Sequence, residues 1–247
     1  MKLSQILFSQ GFGARRECEG LILGGHVRVF VNGHGQLCDD PFFDVDPSGL
    51  EFSVRGEVWR YHAKALLVMN KPAGHECSQK PKHHPSVYSL LPAPLRRRDV
   101  QSIGRLDEDT TGLLLFTDDG VLNHRLISPK HHVQKVYEAA CKHPIGADQV
   151  KALLDGVTLL DDPVPVRAAD AVALGERSDG LHGLRLTLTE GKYHQVKRMV
   201  AAVGNRVEAL HRCQFGALVL PPDLLPGQWR WLNGSQDIVP TAREAAA

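Results

Sequence analysis

The sequence predicts an α+β fold: a small N-terminal helix–helix–strand module, then a larger domain with a mixed, largely antiparallel sheet flanked by helices. Three observations carry this expectation. Two helical patterns and one strand pattern crowd into the first 33 residues. An acidic span with Pro and Gly, residues 39–57, then interrupts the regular patterning. Beyond it, strand-like stretches outnumber helical ones and do not alternate strictly with them, which disfavours a doubly wound parallel sheet.

Element by element, Leu3, Ile6, Leu7 and Gln10 of LSQILFSQ recur at helical spacing, and the GFG that follows ends the helix. ARRECEGLILGG is a second short helix closed by Gly24 and Gly25. HVRVFVNG alternates as a strand does and closes on Asn32-Gly33, a pair favoured in tight hairpin turns. The 39–57 span, with its DPFFDVDPSG, reads as turns completing the module, and a hinge is expected near 58–63. The second domain opens on a buried strand, Leu66–Met69, that runs into a Pro-Gly turn. Further strands are expected at Leu113–Thr117, Lys135–Ala140, Leu184–Thr189 and Leu218–Leu220, and helices at Asp119–Ile127, Ala147–Leu154 and His194–Val203. The domains therefore run 1–60 and 61–234, with 235–247 a disordered tail.

Composition narrows the function classes. With 247 residues, 43% hydrophobic and 23% charged, the chain can bury an ordinary globular core. No apolar run reaches membrane-spanning length, and MKLSQILFSQGFGARRE lacks a secretory h-region, so a cytoplasmic protein without a membrane partner is expected. Five cysteines, with no C-x-x-C, read as reduced thiols rather than a zinc site or disulfide framework. The net charge is only +1, but it is segregated. Residues 39–57 set six acids against Arg55, whereas 71–98 and 192–212 gather Lys, Arg and His against Glu76 and Glu208 alone. Any one such run is most simply a solvated face. Several of them flanking one acidic motif raise the odds of a shared polyanion.

That acidic motif is GRLDEDTTGLLLFTDDG, residues 104–120. Asp118 and Asp119 precede GVLNHRL and suit a helix N-terminus. Glu108 and Asp109 fit an exposed turn. Asp107 lies on a loop leading into a buried strand, where neighbours hold it and strip its water. It is the candidate for chemistry among the five.

Four blocks stand in order: NKPAGHECS, the GRLD block, SPKHHVQKVYE, and EGKYHQVKRMVAAVGN followed by LHRCQFGALVL. Together they resemble the pseudouridine synthases of the RsuA type. The opening S-Q-x-G-x-x-x-R-R-E and G-x-V-x-V-x-V-N-G resemble an S4-type RNA-binding domain. The resemblance implies isomerisation of a uridine: the bond from ribose C1′ to base N1 breaks and the uracil rejoins through C5. No redox or group transfer occurs, so no cofactor is expected, and no metal either, since His131-His132 lacks further ligands at usable spacing.

The resemblance also implies roles. Asp107 attacks the sugar or removes a ribose proton, and the sequence leaves both routes open. Lys197 is its ion-pair partner, with Arg198 as fallback, although a helix-surface charge also fits Lys197. Tyr137 stacks on the flipped uracil, and Leu210 lines its pocket; a strand tyrosine and a core leucine are the plain alternatives. Arg105 lies against the RNA or bridges to a nearby acid. Phosphate contacts fall to Lys71, Arg96, Arg97, Arg98, Lys130, His131, His132 and Arg212, with Arg15 and Arg16 serving the S4-like module. The implied partner is ribosomal RNA of the small subunit, naked or in an assembly intermediate, with large-subunit RNA as the alternative and a monomer as the default. Two other classes compete: a non-catalytic S4-type RNA-binding protein, and a phosphatase reading of Asp107, Asp109 and Thr111 as D-x-D-x-[TV].

Overall fold

The computed structural model describes residues 1–31, 33–160 and 162–239. The chain forms two compact units, one of 1–65 with 91–101, the other of 66–90 with the described residues from 102 onward. The sequence-based boundary at 60 is therefore corrected twice: the first unit runs on to Ala65, and it takes back a later segment.

The first unit holds α1 (Leu3–Ser9), α2 (Arg15–Leu23), β1 (Val27–Val31), β2 (His34–Cys38), β3 (Glu51–Val54), β4 (Glu57–Arg60) and α3 (Ala93–Arg97). Its strands form an antiparallel sheet in the order β2-β1-β3-β4. Leu3, Ile6 and Leu7 of α1 and Cys18 and Ile22 of α2 share one core with Val27, Val29, Phe52 and Val54, as their helical and alternate spacing requires. Gly11 ends α1 at φ 84, and a Cβ there would stand 2.1 Å from the Pro94 carbonyl oxygen, so α3 approaches only because the side chain is absent.

Residues 39–57 are not all turn. Phe52, Ser53 and Val54 are buried, β3 pairs with β1, and Arg55-Gly56, at φ 53 and 87, turns the chain back into β4. The expected hinge near 58–63 is likewise partly strand. Val31 faces His34 across the first hairpin, while Asn32 of the expected Asn-Gly turn lies outside the described residues.

The second unit is built on nine strands: β5 (Leu66–Lys71), β6 (Gln101–Ile103), β7 (Thr111–Thr117), β8 (Lys135–Cys141), β11 (Asp170–Glu176), β12 (His182–Leu188), β13 (Val207–Phe215), β14 (Leu218–Val219) and β15 (Trp229–Trp231). The path runs β11-β12-β8-β13-β7-β5-β15, with β14 on β13 and β6 on β7. β9 (Val157–Leu159) and β10 (Asp162–Val166) pair separately. Three helices complete the unit: α4 (Gly120–Ile127), α5 (Ala147–Asp155) and α6 (Gln195–Ala202). Asp119 caps α4, accepting from the Val121 and Leu122 amides.

The β13–β7 contact is parallel, whereas its neighbours β8–β13 and β5–β7 are antiparallel. This seam spans two residue pairs, His211 with Thr111 and Arg212 with Gly112. Gly112 takes φ 101, and a Cβ on it would meet the Arg212 carbonyl oxygen at 2.3 Å. Separate cores lie beside the two sheet regions. Leu184, Leu186, Met199 and Val200 belong to one, and Leu113, Leu115, Phe215 and Ile238 to the other.

Ile238 corrects the expected tail. Ser235–Asp237 forms a 3₁₀ turn, Ile238 is buried, and its carbonyl accepts from Ala217, so 235–239 is ordered by apolar burial; 240–247 lies outside the described residues. All five cysteines are free, and no described helix is long and apolar enough to cross a membrane.

Candidate active site

Asp107 stands on the loop between β6 and β7, and three neighbours hold that loop. The Thr110 amide closes it on the Asp107 carbonyl at 3.1 Å, and the Gly74 amide takes the Glu108 carbonyl at 2.8 Å. The Lys71 ammonium, at the end of β5, donates to the carbonyls of Pro72, Glu108 and Thr110 at 3.0, 3.1 and 2.8 Å. Lys71 is 0% exposed, which corrects its expected role as a phosphate contact. β5 is buried along its whole length, and the lysine at its end uses its charge inward. Burial lowers its pKa from the ordinary lysine value, with the nearby carboxylates working the other way.

Opposite the loop stands the start of α6. His194 caps the helix in the left-handed region, at φ 48 and ψ 33, and its ring stacks on Tyr193. Its Nε2 lies 3.2 Å from Asp107 Oδ1, and Lys197 Nζ lies 3.5 Å from Asp107 Oδ2. The same ammonium meets both oxygens of Asp109 at 2.7 and 2.8 Å. Burial pulls the Lys197 ammonium down, but Asp109 and Asp107 outweigh it and hold its pKa above the ordinary lysine value. For Asp109, burial pushes upward, and the Lys197 hydrogen bond and charge more than reverse it. Lys197 is thus the residue that meets the carboxylates, while Arg198 donates to the Tyr193 carbonyl.

A cleft opens at this cluster. Asp107, Arg105, Glu190, Lys192 and His194 give it a polar side; Tyr137 of β8, Leu188 of β12, Val196 of α6 and Leu210 of β13 give it an apolar one. Such a pocket suits a flat, partly polar ring with an anionic environment beside it. Lys192 is engaged by Asp162, and Glu190 accepts from Gln195.

Arg212 is 2% exposed, which corrects the second expected phosphate contact. Its Nε donates to the Leu113 carbonyl at 2.7 Å across the parallel seam, and its guanidinium lies 5.3 Å from the Phe215 ring and 6.0 Å from Tyr137. Arg98 is committed within the first unit, to Gln10 Oε1 at 2.9 Å and the His62 carbonyl at 3.0 Å, so it too leaves the group of free phosphate contacts. Arg97 lies 3.6 Å from Glu17. Arg15, Arg16, Arg96, Arg105, Lys130, His131 and His132 are exposed.

Sequence reasoning missed His194 and Asp109 as members of the cluster. The signal was available: His194 and Lys197 are three apart at a helix start, a spacing that puts both on one face. The D-x-D geometry does not favour a phosphatase. The Lys197 ammonium occupies the bay between Asp107 and Asp109, and the long strand β7 follows the motif instead of ending in it.

Residues 65–202 match the family model described as RNA pseudouridylate synthase. A Bacillus subtilis protein, described as the uncharacterized RNA pseudouridine synthase YtzG, is 38% identical over 94% of this chain and 95% of its own length. Ribosomal small subunit pseudouridine synthase A of Yersinia pestis is 43% identical over 68% of each chain. The Escherichia coli K12 protein of that name is 35% identical over 94% of this chain and 96% of its own. A solved structure described as a pseudouridylate synthase superposes with TM-score 0.63 at 32% identity, covering 96% of this chain and 98% of that one.

Proposed function

Because the chain belongs to the RNA pseudouridylate synthase family, we propose that it isomerises one uridine of small-subunit ribosomal RNA, with Asp107 as the reacting carboxylate. The small-subunit assignment is supported by relatives of that name that align along nearly the full length of both chains. The observation that carries the catalytic assignment is the Asp107 carboxylate, held between His194 and Lys197 at a cleft lined by Tyr137 and Leu210.

A carboxylate stripped of water is neutralised unless a cation offsets the loss, and Lys197 supplies that cation. The target uridine leaves its stack to enter the cleft. Tyr137 stacks on the extruded ring, and Leu188 and Leu210 exclude water from its edge. Asp107 then either attacks C1′ to give a ribosyl ester, released when C5 takes its place, or removes a ribose proton that returns to the sugar when C5 bonds to C1′, and in both routes the C1′–N1 bond breaks. The detached uracil turns, C5 bonds to C1′, C5 gives up its proton and N1 gains one. No atom enters or leaves, so the balance calls for no cofactor. The exposed Arg105, Lys130, His131 and His132, with Arg15, Arg16 and Arg96 of the first, S4-like unit, contact RNA phosphates, and binding weakens with salt. The enzyme acts as a cytoplasmic monomer.

The test is pseudouridine mapping after incubation with unmodified small-subunit ribosomal RNA, free or partly assembled with ribosomal proteins, beside large-subunit RNA. Wild type forms pseudouridine in the small-subunit RNA and Asp107→Asn forms none. Activity on large-subunit RNA alone overturns the substrate; an active Asp107→Asn overturns the catalytic assignment.

A further inference from the structure

His194 has no part in the reaction described above, yet it is the basic side chain nearest the reacting carboxylate. Its Nε2 lies 3.2 Å from Asp107 Oδ1, against 3.5 Å for Lys197 Nζ from Oδ2. Its backbone sits at φ 48, in a region that few non-glycine residues occupy and that concentrates at functional sites. Its ring lies on Tyr193, with centroids 3.8 Å apart and planes 19° from parallel. The Tyr193 carbonyl is held in turn by Arg198 at 2.9 Å. The left-handed backbone and the contact with Asp107 set the direction of the imidazole, and the exposed Tyr193 ring lies on its other side.

Charge points the same way. Asp107 and Asp109 bring two negative charges, and Lys197 brings one positive charge that it shares, more closely with Asp109 at 2.7 Å. Asp107 is thus the carboxylate that Lys197 serves less closely, and Lys71 under the same loop gives its hydrogen bonds to three carbonyls, so His194 is the nearer side-chain partner of Asp107. The other charged groups on the cleft are Arg105, Glu190 and Lys192. Lys192 is engaged by Asp162, and Glu190 by the Gln195 amide.

We propose that His194 is the positioning residue of Asp107: its Nε2 holds Oδ1 as Lys197 holds Oδ2, and the two contacts fix the plane in which the carboxylate meets the ribose. This rests on Asp107 being the reacting carboxylate. His194 acts through Asp107 and not on the substrate. Removing it lowers kcat and leaves KM for RNA unchanged.

Two measurements on the full chain decide it. In the first, the His194 ring signals are recorded by NMR in the absence of RNA. They move in Asp107→Asn, where the Nε2 contact loses its carboxylate; unchanged signals overturn the proposal. In the second, His194→Gly and His194→Gln are assayed for pseudouridine formation. Glycine suits the left-handed backbone, so His194→Gly melts no lower than wild type. Its kcat nonetheless falls about 10²-fold with KM unchanged, the scale of a misplaced reacting group. The side-chain amide of His194→Gln can donate to Oδ1 and restores part of the rate. Wild-type kcat in His194→Gly, or a His194→Gln as slow as His194→Gly, overturns the proposal. A wild type that makes no pseudouridine overturns the function instead, and the NMR comparison still decides the pair.

Discussion

Lys71 and Thr110, 39 residues apart in the chain, meet through a 2.8 Å hydrogen bond from a fully buried ammonium to a carbonyl of the loop that carries Asp107. A charge so placed is withdrawn from solvent, and it fastens the loop that carries Asp107. Hydrogen bonds to charged groups contribute roughly 1.5–3 kcal/mol each and are not additive, so Lys71→Met costs about 2–4 kcal/mol of stability. The urea midpoint reports that loss. The salt dependence of RNA binding stays at its wild-type slope, which separates this role from a phosphate contact.

Lys135 is a different kind of buried lysine. Its ammonium donates to the Val133 carbonyl and lies 5.3 Å from the Phe215 ring. Burial first, then the Arg212 charge, push its pKa from 10.5 down to about 8. The folded value lies below the unfolded one, so between those two pH values the unfolded chain binds more protons and stability rises with pH. The cost carried below that window is about 3 kcal/mol. Lys135→Met therefore stabilises the protein near neutral pH, by about 1–3 kcal/mol once the lost hydrogen bond is deducted. The gain disappears by the upper end of the window. Urea unfolding at both ends measures it.

Lys197 and the two aspartates separate by substitution. Lys197→Ala leaves two facing carboxylates without their ammonium, and single-turnover rates fall about 10²–10³-fold, the scale of one electrostatic contact in an active site. Asp109→Asn keeps its rate within several-fold, because Asp107 retains Lys197 and His194. An Asp109→Asn loss as deep as that of Asp107→Asn would transfer the chemistry to Asp109.

For Tyr137 the ring should matter and the hydroxyl should not. Base–aromatic stacking is worth roughly 1–3 kcal/mol, so Tyr137→Ala lowers kcat/KM about 5- to 150-fold. Tyr137→Phe stays near wild type. Equal losses in both variants would point to the hydroxyl.

Much of this was legible because the signals were local. Asp119 preceded a helical pattern and caps α4. Lys135–Cys141 and His182–Leu188 had the strand patterning that their central positions demand. What escaped was set by tertiary context. Lys71 belonged to a basic run, and charge composition alone does not tell a solvated lysine from one whose chain end is wrapped in carbonyls. Phe52 and Val54 alternated as a strand does, but the acids around them hid it. Residues 91–101 rejoin the first unit through space, which no reading along the chain recovers. His194 was read only as a helix boundary, because its contact with Asp107 lies on a loop nearly ninety residues away.

The short parallel seam at Gly112 and Arg212 also bears on how the cleft is assembled. Asp107 approaches from the β7 side, whereas Tyr137 and Leu210 stand on β8 and β13. Two residue pairs, the Arg212 guanidinium and the Thr111 hydroxyl, which meets the Leu210 carbonyl and the His211 ring, join these parts along that line. The core that holds Leu113 and Leu115 of β7 together with Phe215 of β13 crosses the same line and backs it with apolar contact. A substitution at Gly112 or Arg212 therefore reaches the shape of the cleft and the packing of that core at once.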